Sequence, residues 1–120
     1  MIYSSKPRKQ RNFRFNAPMH VRQHFAHAHL SKELKSKLGT KKRNIEVRKG
    51  DTVKIMAGGF RGKSGKVSGV DLKSGKIFVE GINRKDARGK EKPIPIQTSN
   101  VYLTDIDLGD KLRDAKVKAK

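Results

Sequence analysis

The chain has 120 residues, enough for one domain of ordinary size with tails. It carries 30 Lys and Arg against 11 Asp and Glu, a net charge of +19, and it has no cysteine, which excludes a disulfide framework, a thiolate zinc site and a cysteine nucleophile. So large a self-repelling charge predicts a polyanionic partner and favours a nucleic-acid-binding protein over an enzyme that acts on small molecules.

Residues 1–16 show neither a helical nor a strand period, and their basic side chains are interleaved with Phe13 and Phe15. A segment this polar and charged does not offset its own ordering entropy, so we expect it to be extended and to order only on a partner. Two roles stay open for the phenylalanines: anchoring the segment on the rest of the chain, or stacking on bases or riboses. The segment has no apolar stretch of the kind that a secretory signal needs.

Two short helices are predicted next. Asn16 is a candidate N-cap with Pro18 in the first turn, and a second helix begins at Ser31 and ends at Gly39. We expect the two helices to join around residues 29–30. A basic connector, residues 41–43, follows the second helix.

From Ile45 onward the apolar period becomes two, which predicts short strands. The expected strands are 52–56, 65–70, 76–80 and 101–103, with residues 71–75 as a hairpin connection and 83–95 as a long basic loop or hairpin. Short strands at this spacing predict a small antiparallel barrel. The segment after Asp105 is polar and is expected to fray.

Three kinds of chemical site are considered and set aside. Residues 57–64 fit a loose phosphate-loop pattern, but the glycines that follow Lys63 do not favour the helix such a loop requires. His20 and His24 could share a helix face as metal ligands, yet no cysteine or aligned carboxylate joins them, so polar contacts with RNA are the better interpretation. No motif indicates a nucleophile or a carboxylate pair. We therefore predict no enzyme activity, no metal and no cofactor.

The excess charge divides the chain into three segments: residues 1–44 carry +11, residues 45–104 carry +7 and residues 105–120 carry +1. We interpret them as a basic N-terminal extension with two short helices, a barrel with a protruding basic loop, and a polar C-terminal tail. No apolar run approaches the roughly 18 residues of a membrane span, so no membrane insertion is expected.

Two sets of motifs carry a resemblance to known proteins. Residues 47–55, 62–67 and 77–81 resemble the KOW motif of SH3-like barrels, which occurs in ribosomal proteins and in transcription elongation factors. Residues 7–11, 16–22, 28–34 and 95–101 are similar to the archaeal and eukaryotic form of the large ribosomal subunit protein twenty-four family. The resemblance implies a mainly β fold, with a small SH3-like KOW barrel and a basic N-terminal extension carrying two short helices.

The family resemblance also implies a function. It implies a non-catalytic constituent of the cytoplasmic ribosome that binds large-subunit ribosomal RNA near its 5′ region, assists early subunit assembly and lies near the polypeptide tunnel exit. Neighbouring ribosomal proteins, nascent chains and tunnel-exit factors are the further candidate partners. A KOW-type transcription elongation factor module is the alternative, which would need an α/β domain ahead of the barrel.

The candidate RNA-binding residues come from these patterns together. Arg8, Lys9, Arg11 and Arg14 match the family's RNA-threading extension, whereas Arg61, Lys63 and Lys66 match its basic RNA-facing turn. The segment from Arg84 to Lys92 takes the position of its protruding loop. The full set is Lys6, Arg8, Lys9, Arg11, Phe13, Arg14, His20, Arg22, Lys41, Lys42, Arg43, Arg61, Lys63, Lys66, Arg84, Lys85, Arg88 and Lys90.

Overall fold

Seven strands and four helices make up the computed structural model, which describes residues 3–119. The strands are β1 (His27–Leu30), β2 (Asn44–Glu46), β3 (Thr52–Ile55), β4 (Ser64–Asp71), β5 (Lys76–Lys85), β6 (Glu91–Gln97) and β7 (Val101–Asp105). The helices are α1 (Pro7–Asn16), α2 (Met19–Arg22), α3 (Lys32–Leu38) and α4 (Lys111–Lys118), with 3₁₀ turns at Gln23–Phe25 and Thr98–Asn100. The prediction of a mainly β chain is confirmed.

The strands form one sheet in the order β2-β1-β7-β3-β4-β5-β6. All neighbours are antiparallel except β1 and β7, which run parallel. The first part of β4 pairs with β3 and the rest pairs with β5, and register shifts after Val67 and after Phe78 bend the ladder. Within residues 3–119 no pairing joins β6 to β2, so the sheet is open and the predicted closure into a barrel is not observed.

The core lies on the inner face of this bent sheet. Val53 and Ile55 on β3 alternate with the half-buried Thr52 and the exposed Lys54, as their period of two predicts, and both are almost completely buried. They pack with Val67, Ile77 and Leu103 in one continuous apolar cluster. Truncating a side chain such as Leu103 to alanine in a core of this kind costs about 2–5 kcal/mol.

The extended conformation expected for residues 1–16 is wrong for Pro7–Asn16, which forms α1, while residues 1–2 lie outside the described part of the chain. Arg, Lys and Gln are good helix formers, Pro7 occupies the first turn, and the helix ends before Pro18, which disfavours the α conformation at Ala17. The helix buries no residue. A helix that packs no face against a core needs no apolar stripe, so its sequence lacks the pattern that would have predicted it.

The predicted junction between two helices is also wrong, because residues 27–30 form β1. The alternation His-Ala-His-Leu puts Ala28 and Leu30 in the core, a period of two that the histidines hide. The helix ahead of it is short, a single turn of α2 followed by the 3₁₀ turn. The second predicted helix is confirmed: the Ser31 hydroxyl accepts from the Leu34 N–H, and Gly39 ends α3 in the left-handed conformation.

The C-terminal segment does not fray as expected, because residues 111–118 form α4. Asp110 caps this helix through its carboxylate, and the side chains of Arg113 and Val117 are buried against the sheet. The segment 83–95 is a hairpin of β5 and β6, the second of the two forms considered for it. Division of the chain at residues 44 and 104 stays a prediction, although the sheet takes β1 from the first segment. No helix in residues 3–119 has the length and apolarity to cross a bilayer.

Candidate nucleic-acid interface

The predicted RNA-binding side chains lie on the surface. All of them are exposed except Phe13, Arg22 and Lys42, which are half-buried. Most of them fall into four groups: α1, the β3–β4 turn, the tip of the β5–β6 hairpin and the connector before β2. His20 and Arg22 lie on α2, and Lys66 lies on β4 just after the turn. A different element of the fold positions each group.

The first group lies on α1, a helix that contains no acidic residue. Lys6, Arg8 and Lys9 line one concave patch with Asn12. Neither these cations nor Arg11 form an ion pair with any residue in 3–119. The amino-terminal end of a helix carries partial positive charge from the helix dipole, which repels the cations of the first turns. An anion bound at this end relieves that repulsion.

The carboxyl-terminal end of α1 contacts the body of the protein. The Arg14 guanidinium lies 5.3 Å from the centroid of the Phe25 ring, a cation–π contact. Arg22 donates a hydrogen bond to the Phe15 carbonyl oxygen. These two arginines hold the helix against the chain that follows it. Phe15 itself is 73% exposed and is free to stack, whereas Phe13 is half-buried.

The second group lies on the turn between β3 and β4. Gly58 and Gly62 adopt positive φ there, and the Gly62 N–H donates to the Ile55 carbonyl at 2.8 Å. The Lys63 ammonium lies 5.2 Å from the centroid of the Phe60 ring. Ser64 begins a strand, so no helix follows Lys63 and the phosphate-loop interpretation is not supported.

The third group lies at the tip of the β5–β6 hairpin. The Asp86 N–H donates to the Lys90 carbonyl at 2.9 Å, which closes the tip, and the Asp86 carboxylate pairs with Lys92 at 2.6 Å. Arg84, Lys85, Arg88 and Lys90 project from this ladder or its turn and form no ion pair within the described residues. The hairpin therefore presents two cations on paired strand backbone, Arg84 and Lys85, and two on its turn, Arg88 and Lys90.

The fourth group is the connector, residues 41–43, which leads into β2. It contributes Lys41, Lys42 and Arg43 to the wall of a pocket that also includes Arg48 and Lys116. The structure thus brings the connector next to three cations that were not predicted, Arg48, Arg113 and Lys116. Little in the sequence indicates this neighbourhood, because Lys116 is distant from the connector in sequence and lies in a segment expected to fray.

The histidines do not form a metal site in the part of the chain that the structure describes, where no group of three or more His, Cys, Asp or Glu side chains converges. His20 is exposed on α2, and the rings of His24 and His27 lie edge to face with centroids 5.8 Å apart. Burial lowers the pKa of His27, and the nearby Glu46 carboxylate partly opposes that effect.

Sequence analysis missed an aromatic and basic row on the outer face of the sheet. Backbone register places His29 beside Tyr102 and Tyr102 beside Lys54, on three adjacent strands. The rings of His29 and Tyr102 are edge to face with centroids 6.0 Å apart, and Tyr102 is 39% exposed. The alternation of Val101, Tyr102 and Leu103 is the signal that could have found this row.

Two carboxylates near the basic surfaces have structural roles. A hydrogen bond from the Ser74 hydroxyl lowers the pKa of Asp71, which also accepts the Lys73 N–H in the β4–β5 turn. A hydrogen bond from the Arg48 guanidinium lowers the pKa of Asp110, the cap of α4. Both groups therefore stay ionised near neutral pH and stabilise a turn and a helix terminus.

The sequence of the chain is similar to those of ribosomal proteins. A protein from Methanothrix thermoacetophila named large ribosomal subunit protein uL24 is 51% identical to the chain, covering 94% of it and 96% of the relative. A protein of the same name from Methanocella arvoryzae is 47% identical, covering 100% of the chain and 95% of the relative. The alternative of a transcription elongation factor module finds no support among these relatives. A family model described as the eukaryotic ribosomal proteins L26 and their archaeal counterparts matches residues 4–120, and the chain belongs to that family.

Proposed function

We propose that this protein is a structural constituent of the large ribosomal subunit that binds large-subunit ribosomal RNA and has no catalytic role. The observation that carries the proposal is the set of cations on α1, the β3–β4 turn and the β5–β6 hairpin, which, apart from Lys92, have no ion-pair partner within residues 3–119. The similarity to relatives named large ribosomal subunit protein uL24 supports large-subunit RNA as the partner of this surface.

The mechanism follows from charge and shape. Lys and Arg neutralise phosphates and release condensed counterions, so the affinity falls steeply with salt. Side chains do not read the deep major groove of A-form RNA, so selectivity comes from the placement of α1, the turn and the hairpin relative to one another and from contacts with loops. The sheet holds the turn and the hairpin, while α1 reaches outward with its cations.

We also propose where in the ribosome the protein lies and when it binds. We place the RNA site in the 5′ region of the large-subunit RNA, give the protein a role in early assembly and locate it near the polypeptide tunnel exit. Neighbouring ribosomal proteins, nascent chains and tunnel-exit factors are then its further partners, and its compartment is the cytoplasm. A KOW-type SH3-like barrel is the corresponding fold proposal, supported by the bend of the sheet at β4 and β5.

The test removes charge from α1 without removing its contacts with the body. A triple variant, Arg8→Gln, Lys9→Gln and Arg11→Gln, is compared with a triple variant of equal charge change outside the predicted site, Lys32→Gln, Lys37→Gln and Lys111→Gln. Binding to a 5′ fragment of large-subunit RNA is measured over a range of potassium chloride. We expect the α1 variant to reduce the slope of log affinity against log salt by about 2, at roughly 0.7–0.9 per lost phosphate contact. Equal slopes and affinities in both variants would contradict the proposal for α1.

A further inference from the structure

A pocket of about 410 Å³ lies between the connector, β2 and α4. This volume is within the roughly 300–1,000 Å³ range of small-molecule sites. The connector and α4 are far apart in sequence, with Lys42 and Lys116 separated by 74 positions, so the pocket exists only when α4 is folded against the sheet. None of the predicted functions required it.

The floor of the pocket is apolar. Ile45 from β2 and Val117 from α4 line it, and they are 8% and 1% exposed. Both side chains are already shielded from water, so the floor offers a ligand an apolar contact and no hydrogen-bond partner. The floor therefore suits a planar, partly apolar group.

The rim of the pocket is cationic. Lys41, Arg43 and Lys116 are exposed and form no ion pair within the described part of the chain. A fourth cation, Lys42, donates a hydrogen bond to the Lys116 carbonyl oxygen and so joins the connector to α4. Among the residues that the structure describes, Glu46 is the one carboxylate that lines the pocket, so the rim favours an anion.

Two buried nitrogen atoms on residues that line the pocket have no hydrogen-bond partner within residues 3–119. They are Nε2 of His27 and Nε of Arg113, whose side chain is 4% exposed. Buried polar groups without partners are rare in folded proteins, and each calls for a missing partner. A ligand with acceptor atoms on a flat ring would supply one.

We propose that this pocket binds one unpaired nucleotide of RNA, with the base over Ile45 and Val117 and the phosphate at the cationic rim. This inference rests on the proposed RNA-binding function and names a second kind of contact within it. A nucleotide joins a planar ring with polar edges to an anion one sugar away, which matches a floor and rim of opposite character. Free mononucleotides share that chemistry, so the experiment includes both sources.

The experiment records amide NMR signals of the full chain during titration with three probes. The probes are a mixed-sequence single-stranded hexanucleotide RNA, a fully paired RNA duplex and uridine and adenosine 5′-monophosphates. The pocket variant is Arg43→Gln with Lys116→Gln. Its control of equal charge change is Lys37→Gln with Lys111→Gln, on the exposed faces of α3 and α4. Thermal melting of both variants checks that α4 stays folded.

The expected result is a shift of the amide signals of Ile45 and Val117 with the single-stranded RNA but not with the duplex. The affinity reported by these signals should fall about tenfold in the pocket variant and stay unchanged in the control. Equal shifts with free mononucleotides at the same concentration would overturn the assignment to RNA. If the α1 and hairpin signals respond to RNA while Ile45 and Val117 do not, the pocket inference fails and the RNA-binding function stands. If no surface responds, both fail.

Discussion

Arg113 and Asp51 form a buried bidentate ion pair, with the two guanidinium nitrogens 2.5 and 2.6 Å from the two carboxylate oxygens. Asp51 is fully buried and also accepts the N–H groups of Arg48 and Asp107, while Arg113 donates further to the carbonyls of Glu46 and Asp107. This network ties α4 to the start of β3. It explains why the polar C-terminal segment is ordered as a helix.

Replacing Arg113 with leucine should destabilise the protein by about 3–5 kcal/mol, because the Asp51 carboxylate is left buried and without its counter-charge. Chemical denaturation measures the free energy of unfolding. The control is Lys118→Leu, which removes an exposed pair with Asp114 at 2.9 Å on the same helix and should cost well under 1 kcal/mol. Similar losses in the two variants would show that the buried pair has no special structural role.

Gly65 on β4 should tolerate no side chain. A Cβ atom there would lie 2.7 Å from Cγ1 of Val79 and 2.9 Å from the Glu80 carbonyl oxygen, so Gly65→Ala forces the backbones of β4 and β5 apart. We expect a loss of about 1–3 kcal/mol in the free energy of unfolding. Gly59→Ala is the matched control, since nothing lies within 4 Å of its Cβ position. A neutral Gly65→Ala would contradict the close approach of the two strands.

The helical state of α1 should matter for RNA binding but not for the stability of the sheet. Asn12→Pro keeps every cation but costs about 3 kcal/mol of helix formation. Because α1 buries no residue, the melting temperature should hardly change, while far-UV circular dichroism loses helix and the affinity for RNA falls. Asn12→Ala, which favours the helix, is the control. Unchanged RNA affinity in the proline variant would mean that charge alone, without helical placement, is sufficient.

The stability of the protein should fall as the pH drops below about 6.5, the ordinary histidine pKa, in a way that depends on His27. Burial lowers the pKa of His27 in the folded chain, with His24 and Lys116 adding to the effect, so the unfolded chain takes up the proton first. The contribution is complete above the unfolded pKa and is lost as the pH falls through the folded pKa. His27→Gln should flatten this part of the curve of unfolding free energy against pH relative to the unsubstituted protein. Identical curves would refute the assignment to His27.

The strands predicted from a period of two match the structure, because their alternating apolar residues are the ones that face the core. Val53 and Ile55 on β3 and Val79 on β5 all face the core. β1 was missed because histidines occupy its outward positions. β6 was left open between a loop and a hairpin because Pro93 and Pro95 interrupt its pattern. Long-range pairing supplies what local pattern lacks in both cases: β1 joins β7 and β6 joins β5.

Charge was sufficient to select the predicted site residues, but it could not predict which of them lie together in the folded chain. Arg14 and Arg61 look alike in sequence, yet Arg14 contacts Phe25 and anchors a helix, whereas Arg61 is exposed on a turn. Arg113 was not selected at all, since nothing about one arginine in a polar segment indicates a buried partner 62 positions away. Pairing between distant charges depends on the folded backbone.

The measurement that tests the account most directly is the salt dependence of binding to a 5′ fragment of large-subunit ribosomal RNA. If about eight phosphates are contacted, the log of the affinity should fall against the log of the potassium chloride concentration with a slope of roughly −6 to −7. A slope near zero, or no binding at modest ionic strength, would contradict the claim that the unpaired cations of this protein exist to bind ribosomal RNA.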